Sequence, residues 1–435
     1  MSRITVAVFT CAAGFVAASS AFAQPMFRGG PDHRGIYDSP QPSLTEPLWK
    51  FKTNGRVVSS PVVAGDAVYF GSTDSFIYAV NRGDGSLRWK FATRGAVSSS
   101  PAIVNGAIIA SSGDGRVYAI DAATGKQLWA FKTAGESRFT ARGIHGAVPP
   151  TEMMPDPFDV FLSSPAVADG VVYIGSGDHN VYAIDAANGS LRWKFETRDV
   201  VHASPAVAAG VVYIGSWDRN MYALNANSGK EQWRFQTGND TVTHNQIGIA
   251  SSAAVADGAV YFGCRDGHFY AVDAKTGQLR WSVDNKGGWV IASPAARNGV
   301  VYFPTADGMR LKAVNGASGE IVYSVAMRAI SFSSPAIVGD QMYFGSSDGW
   351  VHRVDLATGA TRAEFQSDGS KANASKYIDA DGHMKSEALY PDLTLDGVII
   401  GVHNMFTLGS FLSSPVIVDG VLYIGSTDGH LYALK

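Results

Sequence analysis

The sequence predicts an all-β fold, an eight-bladed β-propeller of four-stranded antiparallel blades occupying residues 46–435. Three observations predict it. First, the phrase "SSP", or a near copy, recurs with its third residue at Pro61, Pro101, Pro165, Pro205, Ala253, Pro294, Pro335 and Pro415, a basic period of about 40 residues. Second, each unit splits into four short β-rich runs separated by Gly, Asp and Asn turns: "VVSSPVVA", "AVYFGS", "FIYAVN" and "LRWKFAT" in the first copy. Third, the eighth copy, "GSTDGHLYALK", stops after its third strand, while "EPLWKFKT" at Glu46–Thr53 is a fourth strand with no unit before it. That strand matches "GSLRWKFAT" and "GSLRWKFET", so it is expected to complete the last blade and close the ring. An open stack of hairpins would instead leave bare strand edges at both ends.

Residues 1–23 read as an export signal: Arg3, the apolar run "ITVAVFTCAAGFVAAS", and "AFA" ahead of Gln24 as the cleavage site. The mature chain is therefore expected in the periplasm or secreted, with no transmembrane segment. Residues 24–45 form a lead-in expected to add little to stability. After cleavage Cys264 is the sole cysteine, which excludes an internal disulfide and a cysteine-based zinc or haem site. With a net charge of −3 the chain has no basic footprint for nucleic acid. It is expected to be a monomer.

Within each unit the repeating residues read as structural. Trp89, Trp129, Trp193, Trp233 and Trp281 recur in phase and are expected to pack blade against blade. Asp74, Asp114, Asp178, Asp218, Asp266, Asp307, Asp348 and Asp428 sit in the turn between second and third strands, where an aspartate bonds its own backbone. The serine before each proline or its substitute, Ser60 to Ser414, is read the same way, and Cys264 as a small buried residue.

Chemistry is expected in the insertions, near residues 134–159, 238–247 and 367–409. All three fall in the link from a fourth strand to the next first strand, so strand alternation puts them on one mouth of the channel. They add about 24, 8 and 38 residues to the basic unit. The first carries Arg138, Arg142 and His145; the second His244 and Asn245; the third Lys376, Asp379, Asp381, His383, His403 and Asn404. Trp217 and Trp350 flank turns on the same side, and Trp289 lies just ahead of an inner strand. Arginines, amides and histidines with nearby indoles suit a small polar or anionic ligand. No spacing identifies a metal site. "YIDADGHMKSE" fails the EF-hand pattern, since placing Asp379 and Asp381 at positions three and five puts Ala388 at twelve. A hairpin turning at Asp381-Gly382 is expected there instead.

The units "VYFGSTD", "YAIDAATGKQLWAF", "YAIDAANGSLRWKF" and "YAVDAKTGQLRW" resemble the pyrroloquinoline-quinone (PQQ)-like repeats of bacterial quinoprotein propellers. The resemblance runs from Trp49 to Lys435 and implies the propeller fold. It implies three kinds of work: a ligand- or protein-binding module, a PQQ-dependent dehydrogenase of alcohols or sugars using the quinone with Ca²⁺, or an envelope scaffold similar to the outer-membrane assembly lipoprotein. The adjacent cysteine pair and haem domain of the larger dehydrogenases, and the lipidated cysteine of the lipoprotein, have no counterpart here. The residues favour the binding module, with a small polar ligand or an envelope protein as partner.

Overall fold

The computed structural model describes residues 26–239, 247–380 and 382–435. The export signal, His244, Asn245 and Asp381 lie outside them. Eight four-stranded antiparallel sheets follow the period: blades 1 to 7 span 62–92, 102–132, 166–196, 206–236, 254–284, 295–326 and 336–366, and blade 8 combines 416–434 with the N-terminal strand Pro47–Lys52. Strand character follows burial. In blade 3, Val171–Gly175 is buried throughout, as a strand flanked by blades on both faces must be. The outer strand Leu191–Glu196 alternates exposed and covered positions, with Trp193 and Phe195 turned inwards.

Three bonding patterns repeat around the ring. In blades 1 to 5 the outer-strand tryptophan donates its indole N–H to a backbone carbonyl in the next blade: Trp89 to Ala122, Trp129 to Ala186, Trp193 to Ala226, Trp233 to Ala274 and Trp281 to Gly316, all at 2.8–3.0 Å. The turn below each ring must be glycine. At Gly229 φ is +70° and a Cβ would lie 2.7 Å from the Trp193 ring. Six of the eight turn aspartates are latched by a tyrosine four residues on, as in Tyr222 to Asp218 at 2.6 Å, and most of the six also accept from the preceding blade's link, as in Arg198 N–H to Asp218 at 3.0 Å. On the axis, each backbone N–H of the repeating serine donates to the hydroxyl of the next blade's serine. The chain of bonds runs Ser60, Ser100, Ser164, Ser204, Ser252, Ser293, Ser334, Ser414 and back to Ser60, at 2.8–3.2 Å. Cys264 is fully buried.

Blade 8 closes as expected. Trp49 pairs with Ala433 and Phe51 with Leu431, and Trp49 donates to the Arg82 carbonyl at 2.8 Å, the bond its counterparts make.

The lead-in does more than expected. It crosses the face of the Gly-Asp turns and bonds blade after blade: Val207 N–H to Pro31, Val255 to Asp32, Ala296 to Arg34 and Ile337 to Gly35, at 2.6–3.1 Å. Arg28 is buried and donates to the carbonyls of Pro335 and of Pro294, the latter at 2.6 Å. His33 is fully buried, and its pKa is pushed down to about 3 by burial and then by Arg28, so it is neutral. The segment plugs one end of the channel because it satisfies inner-strand N–H groups that would otherwise be orphaned. That bonding is not visible in its composition.

The opposite mouth carries the insertions. The first forms a small hairpin, Thr140–Arg142 with Met153–Pro155. The third is helical, which the strand-based reading did not anticipate: α1 (Asp368–Tyr377), α2 (Ser386–Leu389) and α3 (Leu395–Thr407). Ser367 caps α1 by accepting from Ser370 N–H, and Thr394 caps α3 by accepting from Gly397 N–H. Between α1 and α2 the chain doubles back, with Ile378 bridged to Met384 and Gly382 at φ +86°. First and third insertions interlock. Val148 N–H donates to Leu393 at 2.9 Å, and Ile144, Ala147, Met154 and Val398 form a small core between them.

Candidate functional site

The channel itself is almost filled. Below the helices, Val58, Phe161, Leu162, Ile291, Phe332 and Leu412 converge on the serine ring, with Phe27 of the lead-in also lining it, and leave about 40 Å³. Val402, Met405 and Phe406 of α3 pack over the same apolar cluster. Ligand pockets ordinarily need several hundred Å³. The axis is a core.

Two buried ionic assemblies fasten the first insertion to this core, both from the sequence "PDPFDVF". Asp159 accepts from His202 Nδ1 at 2.7 Å, and Glu136 accepts from His202 Nε2 at 2.9 Å. Burial would lower the pKa of His202, but the two carboxylates raise it to about 10, so the ring is an imidazolium. With both nitrogens committed it is a clamp and not a proton shuttle. Asp156, fully buried, bonds Arg265 and accepts from His145 at 2.9 Å. Burial would raise the Asp156 pKa, but Arg265 and His145 hold it far below the usual range. The Arg265 guanidinium lies 3.6 Å from the Trp289 ring centre and 4.7 Å from that of Trp217, which stacks on Phe139 at 4.3 Å.

Beside the clamp a pocket of about 260 Å³ is lined by Glu136, Arg138, Asp159, Phe161 and His202, and two more open between the insertions and the blades. One, of about 160 Å³, joins Arg56, Arg138 and His403 over apolar walls that include Pro155, Val402 and Phe406. Arg56 donates to His403 Nδ1 at 2.7 Å and lies 4.8 Å from the Phe406 ring centre. Its pKa is lowered by burial and then by Arg138. No carboxylate pairs with either arginine among the described residues, so this pocket carries uncompensated positive charge. The other, of about 270 Å³, is aromatic: His145, Phe158, Trp289, Phe332 and Tyr390 surround it, with Asp307 at its wall.

The expected site residues thus divide. Arg138 and His403 share the pocket of Arg56; His145 and Trp289 line the aromatic one. Arg142 is exposed and reaches the Thr151 carbonyl at 3.4 Å. Asn404 bonds the Leu389 carbonyl and the Tyr377 hydroxyl, holding the helices together. Trp217 is buried under the first insertion, and Trp350, half-buried at the start of a blade 7 strand, lines none of these pockets. Arg56, Asp307, Arg265 and His202 escaped sequence reasoning. Arg265 occupies a turn position, equivalent to Trp217 one blade earlier, that the repeat makes look merely structural.

Residues 43–149, 150–284 and 243–380 match the family model described as outer membrane protein assembly factor BamB. The chain belongs to this BamB-type family of PQQ-like propellers. No curated protein sequence matches. BamB from Moraxella catarrhalis superposes with a TM-score of 0.65 at 16% identity, covering 90% of this chain and 99% of that one. A europium-containing methanol dehydrogenase gives 0.67 at 15%, covering 93% and 91%. The quinohemoprotein alcohol dehydrogenase of Comamonas testosteroni gives 0.66 at 14%, covering 94% and 80%. At these identities the likeness is one of fold.

Membership of the PQQ-like family raises the question of whether a quinone fits. PQQ is a flat fused-ring tricarboxylate, needing a slot and cations. The axial space of about 40 Å³ is too small for it, and the axial cation, His202, is already committed to two carboxylates. The aromatic pocket presents Asp307, a carboxylate, where a tricarboxylate needs positive charge. The Arg56, Arg138 and His403 pocket has the charge but only about 160 Å³ and a single phenyl ring, Phe406, in place of a flat slot. The pocket beside the clamp adds the carboxylates of Glu136 and Asp159. Among the described residues no three His, Cys, Asp or Glu side chains converge in a group able to hold a cation such as Ca²⁺. The residues present do not fit the group.

Proposed function

We propose that the protein is an exported binding module that holds a partner protein against the face built by the first and third insertions. The observation that carries this reading is the set of large apolar side chains left open there. Val148, Met153, Leu393, Ile399 and Ile400 are between 42% and 60% exposed, all on the two interlocked insertions. Elsewhere exposed leucines such as Leu87, Leu191 and Leu279 recur two residues before the tryptophan of the outer strands, with Leu128 and Leu48 one residue on, as a feature of the repeat. An apolar set confined to inserted, rigidly fastened segments suits recognition. The buried ionic clamps at Asp156 and Asp159 support it, since they hold the surface in one shape before any partner arrives. Arg56, Arg138 and His403 beside it favour a partner that adds a negative group to its apolar side chains.

The test places a photoreactive amino acid at Ile400 or at Lys230 on the opposite face, and cross-links in the producing cell. A discrete adduct is expected from position 400 alone, lost on adding Ile399→Asp or Arg138→Glu. Equal adducts from both positions, or none from position 400, overturn the reading. In parallel, the protein supplied with PQQ and Ca²⁺ is expected to show no dye-linked oxidation of alcohols or sugars, and turnover would replace the binding reading with the enzymatic one.

A further inference from the structure

The repeat supplies its own controls, and one position departs from them towards a pocket. In six blades the turn aspartate accepts a hydrogen bond from a tyrosine four residues on: Tyr78 to Asp74, Tyr118 to Asp114, Tyr182 to Asp178, Tyr222 to Asp218, Tyr270 to Asp266 and Tyr432 to Asp428, at 2.6–2.8 Å. In blade 7 His352 takes the tyrosine's place, and Ser346 bonds both it and Asp348. Blade 6 has lost the latch altogether. Its turn is one residue longer, and Lys312 occupies the tyrosine position, pairing with Phe303 as Tyr78 pairs with Phe70. Lys312 turns away to Asn285 Oδ1 at 2.7 Å. Asp307 lacks the tyrosine latch of its counterparts, keeps a backbone bond from the Trp289 N–H, and lines the aromatic pocket.

The surroundings of Asp307 define what would complete it. Phe158, Trp289, Phe332 and Tyr390 offer ring surfaces on several sides of about 270 Å³. Trp289 is buried and its indole N–H has no partner among the described residues. The nearby positive charge of Arg265 is already matched by Asp156, to which His145 is also bonded. Asp307 keeps its backbone donors, but among the described residues no cation forms an ion pair with it. Burial raises its pKa and Asp307 in turn helps raise that of Tyr390, both signs of a carboxylate held where water solvates it poorly. A ring quadrupole presents its negative face to a cation, and a carboxylate supplies the counter-charge.

We infer that this pocket is a binding site for a small organic cation, an amine or quaternary ammonium bearing an apolar group, with Asp307 as counter-ion and Trp289, Phe332 and Tyr390 as its walls. The site is separate from the exposed apolar side chains of the partner face, apart from Leu393 at its rim. Loss of either reading leaves the other standing.

Titration calorimetry with benzyltrimethylammonium tests it, with benzoate and benzyl alcohol as probes of the same ring but opposite or no charge. Saturable binding of the cation is expected at or below roughly millimolar concentration, with neither control competing. Asp307→Asn is expected to weaken it at least tenfold while leaving the melting temperature unchanged, and Asp307→Glu to restore most of it. Asp218→Asn, which breaks a latch, is expected to lower the melting temperature without changing cation affinity. Absence of binding by the cation, equal binding of benzoate or benzyl alcohol, or undiminished affinity in Asp307→Asn overturns the assignment.

Discussion

The His202 clamp makes a prediction that can be worked through in numbers. Replacing His202 by glutamine removes a buried imidazolium and leaves Asp159 and Glu136 facing each other without it. Both carboxylates keep backbone donors, from Phe139 and Gly177 respectively, so the local fold should survive. The rise of the His202 pKa from 6.5 to about 10 corresponds to about 5 kcal/mol at about 1.4 kcal/mol per pH unit. That is a ceiling, because the same attraction also belongs to its two partners; breaking a buried pair from one side costs about 3–5 kcal/mol. The sign follows from which state holds the proton. Between pH 6.5 and 10 the folded protein keeps it and the unfolded chain does not, so the contribution is whole below pH 6.5 and fades as pH rises through 10. Guanidinium unfolding of wild type and His202→Gln at pH 7, 8 and 9 measures it. Wild type should be more stable at pH 7 by about 3–5 kcal/mol, and the gap should shrink by about 2.5 kcal/mol by pH 9. A gap that stays constant with pH would show that His202 is neutral in the folded protein and refute the clamp.

Further outcomes follow from the ring. Trp49→Ala and Trp129→Ala should cost similar amounts, about 3–5 kcal/mol by thermal or chemical unfolding; a much smaller loss at Trp49 would mean that the N-terminal strand is a loose appendage. Arg28→Met should destabilise by about 2 kcal/mol or more, since the carbonyls of Pro294 and Pro335 lose their donor inside the channel, and an unchanged melting temperature would return the lead-in to a minor role. Gly229→Ala should cost more than about 2 kcal/mol through its positive φ and the Trp193 ring. Gly83→Ala, where a Cβ meets nothing, should stay within about 0.5 kcal/mol, and equal effects would remove the packing argument.

The legible part of the molecule is the part that repeats. The Ser-Ser-Pro phrase, the tryptophan and the turn aspartate each state one bond eight times or nearly so, and Glu46–Thr53 declares its place by matching the outer strands. The insertions occur once, and their meaning depends on neighbours far away in sequence. Ser367 and Thr394 do carry helix-start signals, but α3 contains two glycines and β-branched residues that mute its period. Arg56 reads as a loop arginine until His403 and Arg138 stand beside it. Asp307 looked like one of eight identical turn residues; only the pairing of Lys312 with Phe303 reveals that its partner is gone. His145 was visible as a candidate, but not that Asp156 would hold it.

The way the ring is fastened also sets a timetable. Pro47–Lys52 pairs with His430–Leu434, and the lead-in binds strands of blades 4 to 7, so these early segments are made before their partners and are the last to find their positions. Until then the third strand of blade 8 is a bare edge, able to recruit the same strand from another copy. Contacts between such distant parts of a chain form slowly, because a very long loop must close before they contribute. The folded ring pairs this edge of blade 8 with Pro47–Lys52, yet it does so in its final step. A newly made molecule therefore passes through an interval in which dilution, or an escort that covers that edge, decides between a closed ring and an aggregate.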